Sequence, residues 1–181
     1  LGMFIIDEIH YEKDQNKPPV YDIMGGAGTY AVLGCRLFAG LGDVVRGYGS
    51  HDIGWIVDAG RDFPTSLETE ISSWQTNAVI RRDENRLTTR GWNGYGAHEA
   101  RDFKYMTEKK RLTVEDLVEE GLASARAIHL VCSPDRLITE CKKLESERKK
   151  NHQEEEQTVI WEPVPGLTTP QYLDNCIEAL Q

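Results

Sequence analysis

Residues 24–38 read MGGAGTYAVLGCRLF. Three glycines, Gly25, Gly26 and Gly28, run directly into a nearly unbroken apolar segment. Glycine admits backbone angles and close approaches that a Cβ forbids. A helix opening there leaves several N–H groups without internal partners, which suits a negatively charged or hydroxyl-rich ligand. Small or apolar residues at Ala27, Tyr30, Ala31, Gly34, Leu37 and Phe38 follow the helical period and mark the expected packing face. Read simply as packing, the glycines let that helix lie close against a sheet.

Gly26-Ala27-Gly28-Thr29-Tyr30-Ala31 also fits the G-x-G-x-x-A dinucleotide fingerprint. That fingerprint follows its first strand directly, and an acid closes the second strand roughly 20 residues later. Here a polar, Pro-containing loop (11–19) separates the first strand from the glycines. The next candidate strand, 44–45, leads into Arg46 and Gly47. A nicotinamide-dependent oxidoreductase is therefore a minor alternative.

Outward from the glycines, residues 2–9 (GMFIIDEI) read as a buried strand with an acidic end. Asp7 stands within that apolar run, at the carboxyl end where open α/β sheets bind ligands. An ionised carboxylate offers acceptors only and suits a diol; a helix cap or an ion pair is the plain alternative. Residues 53–57 (IGWIV) are a short strand after a Gly-rich turn at 47–49, and 64–74 a short helix. Residues 78–82 and 86–90 suggest a hairpin around 83–85. Thr113 caps a helix with apolar positions Val114, Leu117, Val118, Gly121, Leu122 and Ala125. A strand at 127–132 follows, then Ser133-Pro134 as cap and first helical residue, with Leu137, Ile138, Cys141 and Leu144 as the stripe. The charged run 145–157 is a helix end and exposed loop. A strand at 158–161 and a helix after Thr169-Pro170 close the sequence. This alternation predicts an α/β fold with a mostly parallel sheet flanked by helices.

The chain has 181 residues, 21 basic against 30 acidic, for a net charge of −9. That balance argues against a nucleic-acid surface. No apolar run reaches the ~20 residues of a membrane span, and no signal-peptide pattern opens the chain, so a cytoplasmic location is expected. Cys35, Cys132, Cys141 and Cys176 lack metal-ligand spacing and are expected as core thiols in a reducing compartment. The opening Leu1, and an α/β pattern that stops on a helix without its next strand, predict a truncated chain.

Taken together, 2–9, 25–38 and 54–64 (GWIVDAGRDFP) resemble the start of a ribokinase-like (PfkB family) carbohydrate kinase. Residues 87–93 (LTTRGWN), 101–106 (RDFKYM), 127–136 (AIHLVCSPDR) and 159–165 (VIWEPVP) resemble the fungal branch that includes the killer-virus maintenance protein. The resemblance covers essentially the whole chain as the amino-terminal, acceptor-binding portion of one ribokinase-like domain, incomplete at its carboxyl end. It implies that Asp7 binds substrate hydroxyls and that Gly25 and Gly26 let backbone close over the sugar, with Gly28 the next glycine of the substrate-binding motif. The segment at about 76–106 matches a small β-lid and associated insert, often a homodimer contact. ATP and Mg²⁺ would serve the full-length parent rather than this chain. The family's Asn-x-x-Glu segment and its Gly-Ala-Gly-Asp segment with the catalytic Asp would lie beyond Gln181, so no catalytic residue is expected here and the isolated chain is expected to be inactive. Two departures stand out: Ala27-Gly28-Thr29-Tyr30 replaces the Lys-Gly-Ala-Asn common in sugar kinases, and Cys132 stands where ribose kinases tend to place Glu. A non-catalytic, kinase-derived binding protein is the alternative function.

Overall fold

The computed structural model describes residues 1–12, 16–42, 49–97, 100–152 and 155–180. They form two compact units, Met3–Lys110 and Leu1–Gly2 with Arg111–Gln181. The candidate strand at 44–45 lies outside the described residues.

In the first unit, β1 (Ile5–Tyr11), β2 (Val20–Gly25), β5 (Arg90–Tyr95) and β6 (Arg101–Tyr105) form a sheet in the order β2-β1-β5-β6. β1 runs antiparallel to β2 and parallel to β5, while β5 and β6 form an antiparallel pair. The sequence gives little sign of β2, because VYDIMG neither alternates nor carries a long apolar run. β3 (Gly54–Gly60), α2 (Thr65–Ser73) and β4 (Asn77–Asp83) make a strand–helix–strand unit whose two strands are parallel. A parallel pair needs such a crossover, and its helix supplies the cover. Leu67 and Ile71 of α2 are buried with Ile6 and Val57 in the core. Trp55 and Trp74 stack there, with centroids 5.7 Å apart and planes inclined by 13°.

The expected hairpin at 78–90 does not form. β4 pairs with β3, and β5 with β1 and β6. The connection between them is tied down across the end of β3: Gly60 N donates to Thr88 Oγ1 at 2.9 Å, and Arg61 N to Arg86 O at 3.1 Å. Two polar, Arg-rich strands read locally as partners, although each has a more apolar neighbour elsewhere.

α1 (Ala27–Gly42) forms where the sequence predicts it but presents a different face. Thr29 and Val32 are buried, whereas Tyr30, Leu37 and Phe38 are 61, 69 and 74% exposed. Arg36 Nε donates to Trp74 O at 2.8 Å and ties this face to the core, while Thr29 Oγ1 donates locally to Gly25 O at 2.7 Å and so satisfies its buried hydroxyl. A helix apolar nearly all round leaves its facing to such polar anchors. The same rotation exposes Cys35, contrary to the expected core thiol, whereas Cys132 is buried and Cys141 and Cys176 are half-buried.

In the second unit, β7 (Ala127–Cys132) and β8 (Thr158–Pro163) are parallel and joined through α4 (Pro134–Lys150). Ser133 Oγ accepts from Arg136 N, with Pro134 in the first turn, as the cap signal predicts. α3 (Val114–Glu119) is shorter than the expected 113–125. Gly121, at φ +70°, ends it. Leu122 N reaches Leu117 O at 2.7 Å and Gly121 N reaches Val118 O at 3.2 Å, the paired bonds of a left-handed helix stop. α5 (Leu173–Ala179) follows a single 3-10 turn at Pro170–Tyr172. Three of the five strand pairings among the described residues are parallel. No helix among the described residues is long and apolar enough to cross a membrane.

Candidate functional site

Asp7 lies in the middle of β1 rather than at its carboxyl end, opposite Ile23 of β2 and Gly91 of β5. The neighbouring register sets Ile5 against Gly25. These pairings bring the carboxylate between two glycines. A Cβ built on Gly25 would stand 1.8 Å from Asp7 Oδ2, and one built on Gly91 2.7 Å from Asp7 Oδ1 and 2.6 Å from the Phe103 ring. Any other residue at 25 or 91 would displace the carboxylate or the backbone beneath it. Gly26 serves a different purpose. Its φ of +86° turns the chain from β2 into α1, where a Cβ would meet Met3 O at 2.3 Å. Gly28 is buried and donates its N–H to Met3 O at 3.3 Å, so it closes this turn. The structure thus joins Asp7 with Gly25, sets Gly26 at the turn beside them, and occupies the Gly28 N–H internally.

Alternation along the strands puts Asp7, Gly91, Asn93, Phe103 and Arg101 at register positions of one sheet face. Asn93 is 2% exposed, and its Oδ1 accepts from Arg101 Nη2 at 2.6 Å. Asp7 Oδ1 is buried and has no hydrogen-bond partner among the described residues. Burial pushes the Asp7 carboxyl up from its ordinary value; the Asn93 side chain, near enough to the carboxylate to act as a hydrogen-bond donor though too poorly placed to satisfy Oδ1, and the Arg101 charge offset this only in part. Buried acceptors are nearly always satisfied in folded proteins, and leaving one bare costs about 1–3 kcal/mol. A ligand hydroxyl could satisfy this one only once the Phe103 ring, which packs beside Oδ1 over Gly91, moves aside. Asn93, Phe103 and Arg101 escape a reading that pairs 78–82 with 86–90. With the strands at 90–95 and 101–105 recognised as partners, period-two alternation alone brings them together.

The other candidate carboxylates have structural partners. Asp58 takes a forked contact from Arg81 Nε and Nη2, at 2.9 and 3.0 Å, and a 3.3 Å contact from Lys110. Arg90 bridges Asp62 at 2.6 Å and Asp22 at 3.0 Å, and Asp62 also accepts from Thr88 N at 2.7 Å. Burial alone would raise Asp62, but the Thr88 and Arg90 hydrogen bonds hold it below its ordinary value. A depressed folded-state pKa stabilises above the unfolded value, about 3.9, and that stability is lost as pH falls through the folded value. Asp62→Asn is accordingly expected to lower unfolding stability at pH 7 by about 1–3 kcal/mol. In denaturant melts this deficit should shrink toward zero as the pH drops below the ordinary carboxylate range. A deficit independent of pH would refute the ion-pair origin. In the second unit, Glu162 Oε2 lies 3.2 Å from His129 Nε2.

Solved structures share this architecture. Ribokinase from Giardia lamblia superposes with a TM-score of 0.64 at 16% identity, covering 94% of this chain and 51% of that one. Anopheles gambiae adenosine kinase, in complex with P1,P4-di(adenosine-5) tetraphosphate, gives 0.60 at 14% identity over 99% and 59%. Fructokinase from Xylella fastidiosa gives 0.57 at 17% identity over 99% and 55%. The chain has a ribokinase-like fold. In sequence it is 38% identical over 171 residues to the Saccharomyces cerevisiae protein MAK32, and 35% identical over 170 residues to an uncharacterised protein of Schizosaccharomyces pombe. These matches take in 92 and 94% of this chain but 45 and 44% of the relatives, so the chain spans less than half their length. No protein-family model matches it. The dinucleotide reading of residues 26–31 requires a parallel strand–helix–strand setting, which the strand topology does not provide. Their glycines follow β2, which is antiparallel to β1, not the first strand of a parallel strand–helix–strand unit.

Proposed function

We propose that this chain is the acceptor-binding portion of an ATP-dependent kinase that phosphorylates a hydroxyl of a sugar or sugar-like small molecule. The observation that carries the reading is the buried, unpartnered Oδ1 of Asp7 set between Gly25 and Gly91. A carboxylate in that position accepts hydrogen bonds from a diol and holds it against the sheet. The glycines admit the close approach, and β5 and β6, which carry Gly91 and Phe103, flank it; these two strands, rather than β4, which pairs with β3, are the part of the 76–106 segment that we read as the lid. Asp7 orients the acceptor; positioning is a large part of phosphoryl-transfer catalysis.

We assign neither ATP nor Mg²⁺ to residues of this chain. Among the described residues no three His, Cys, Asp or Glu side chains are grouped to hold a metal ion. The sequence has no G-x-x-x-x-G-K-[ST] loop to cradle phosphates. In this reading a longer polypeptide on the scale of the fungal relatives supplies the nucleotide chemistry.

Titration calorimetry of the chain against a panel of pentoses, hexoses and polyols tests the reading. At least one is expected to bind in an Asp7-dependent way, while the chain incubated with ATP, Mg²⁺ and the same panel gives no turnover. Turnover by the chain alone would contradict the division of labour. Sugar binding without phosphotransferase activity in a polypeptide of the relatives' length would instead favour a non-catalytic, kinase-derived binding protein.

A further inference from the structure

Asn93 is the only asparagine in the chain that is followed by a glycine. Such a pair is chemically labile, because no Cβ on the glycine hinders attack of its backbone nitrogen on the asparagine side chain. The fold nevertheless requires both residues. A Cβ on Gly94 would stand 2.1 Å from the Trp92 ring, so packing on one face of the sheet demands the glycine. On the other face Asn93 Oδ1 accepts from Arg101 Nη2 at 2.6 Å, and Nδ2 lies 3.5 Å from Glu8 O. An amide supplies an acceptor and donors together, as these contacts need.

The folded sheet denies the reaction its geometry. β5 runs between β1 and β6, with Asn93 opposite Ile9 and Phe103, and Gly94 opposite His10 and Asp102. Asn93 is almost wholly buried. Extended backbone keeps the side-chain carbonyl away from the next nitrogen, and ring closure has to twist the strand out of its ladders. The two neighbours do not guard it equally. β1 is an interior strand with buried Ile5 and Ile6, whereas β6 is the sheet edge and is exposed along its whole length. Edge segments with few buried contacts open locally, without unfolding of the rest.

We propose that Asn93 is a conformation-gated modification site, silent in the closed sheet and converted to a carboxylate when β6 leaves β5. Gly94 N attacks Asn93 Cγ; that C–N bond forms as the Cγ–Nδ2 bond breaks, and ammonia departs with the Gly94 amide proton. Water then opens the cyclic imide to aspartate or isoaspartate. Either product sets a carboxylate beside Asp7 and Glu8 O, where the amide had a donor, and a carboxylate offers acceptors only. Isoaspartate also adds a backbone atom to the strand and breaks its register. The acceptor site thereby disables itself. That last consequence rests on the acceptor-site reading above; the gated chemistry does not.

The test is peptide mass mapping of the full chain after incubation in mildly alkaline buffer. In the urea-unfolded chain Asn93 should convert faster than every other asparagine. In the native chain its conversion should slow about a hundredfold or more, set by the population of the open form. The exposed Asn85 and Asn151 should slow far less. Native-state conversion at Asn93 should climb with added urea before circular dichroism reports unfolding. As the wild-type chain ages, the fraction able to bind sugar in calorimetry should fall in step with Asn93 conversion, and Asn93→Asp should bind about tenfold or more weakly from the start. Conversion at Asn93 no faster than elsewhere in urea, equal rates in native and unfolded chain, or protection lost only on global unfolding would overturn the gated site. Gated conversion that leaves sugar binding intact would overturn the self-inactivation. Gated conversion in a chain that binds no sugar when fresh would leave the gate standing and overturn the acceptor-site reading.

Discussion

Asp7→Asn is expected to weaken acceptor binding about a hundredfold while leaving the chain as stable as before, or more so. Hydrogen bonds to a charged acceptor contribute roughly 1.5–3 kcal/mol each, and a diol makes two. Their combined loss corresponds to at least about two decades in affinity. The stability expectation follows from where the carboxylate sits. Its folded-state pKa is raised by burial, so the folded protein holds its proton more tightly than the unfolded chain does. Stability therefore declines as pH rises from the ordinary carboxylate value through the raised one, and the cost is complete above it. An amide carries no such cost. The stability gain of Asp7→Asn should be full above the raised value and vanish on acidification below the ordinary carboxylate range. Binding and stability moving in opposite directions is the signature of a functional group kept at the expense of the fold. If both fell together, Asp7 would be a structural residue.

Gly25→Ala carries the second large effect. The new methyl would lie 1.8 Å from Asp7 Oδ2, so either the carboxylate swings away or β1 and β2 separate. Overpacking of this kind costs about 1–3 kcal/mol. Acceptor affinity should fall as far as it does in Asp7→Asn, because the acceptor oxygen is no longer where the hydroxyl meets it. The two sites should also be coupled. In an Asp7→Ala background the same methyl meets no carboxylate, and the destabilisation by Gly25→Ala should shrink by about 0.5–3 kcal/mol in a double-mutant cycle. Additive losses in urea melts would mean that the closeness of Gly25 and Asp7 has no energetic weight.

Much of this arrangement is legible in the residues themselves. The apolar run around Phe4 and Ile6, the Ser133-Pro134 cap and the apolar strand at 127–132 appear where local signals put them. What local signals miss is instructive. β4 takes its parallel partner, β3, from the far side of a helix, and no turn residue announces such a pairing. β6 is exposed throughout and β2 over its first half, and neither shows the long apolar run or clean alternation that marks a strand. α1 turns inward the face carrying the buried Thr29 and the Arg36 that bonds Trp74 O, two polar side chains that a reading of apolar periodicity passes over.

The site divides in the same way. Asp7 and Gly25 stand out because each is anomalous where it is: a charge in an apolar strand, and a diglycine before a helix. Their meeting follows from the antiparallel pairing of β1 and β2. Asn93, Phe103 and Arg101 look ordinary along the chain. They acquire meaning only once β5 is paired with β1 on one side and β6 on the other.

Asp7 itself offers the most direct measurement. With ¹³C-labelled aspartate and Asp7→Asn to assign the resonance, the side-chain carboxyl can be titrated by NMR with and without a saturating sugar from the panel. A hydroxyl donating to Oδ1 favours the ionised form, so a midpoint above the ordinary carboxylate range in the free chain should move downward when the sugar binds. A midpoint that stays put while calorimetry shows the sugar bound would place the ligand elsewhere and contradict the account.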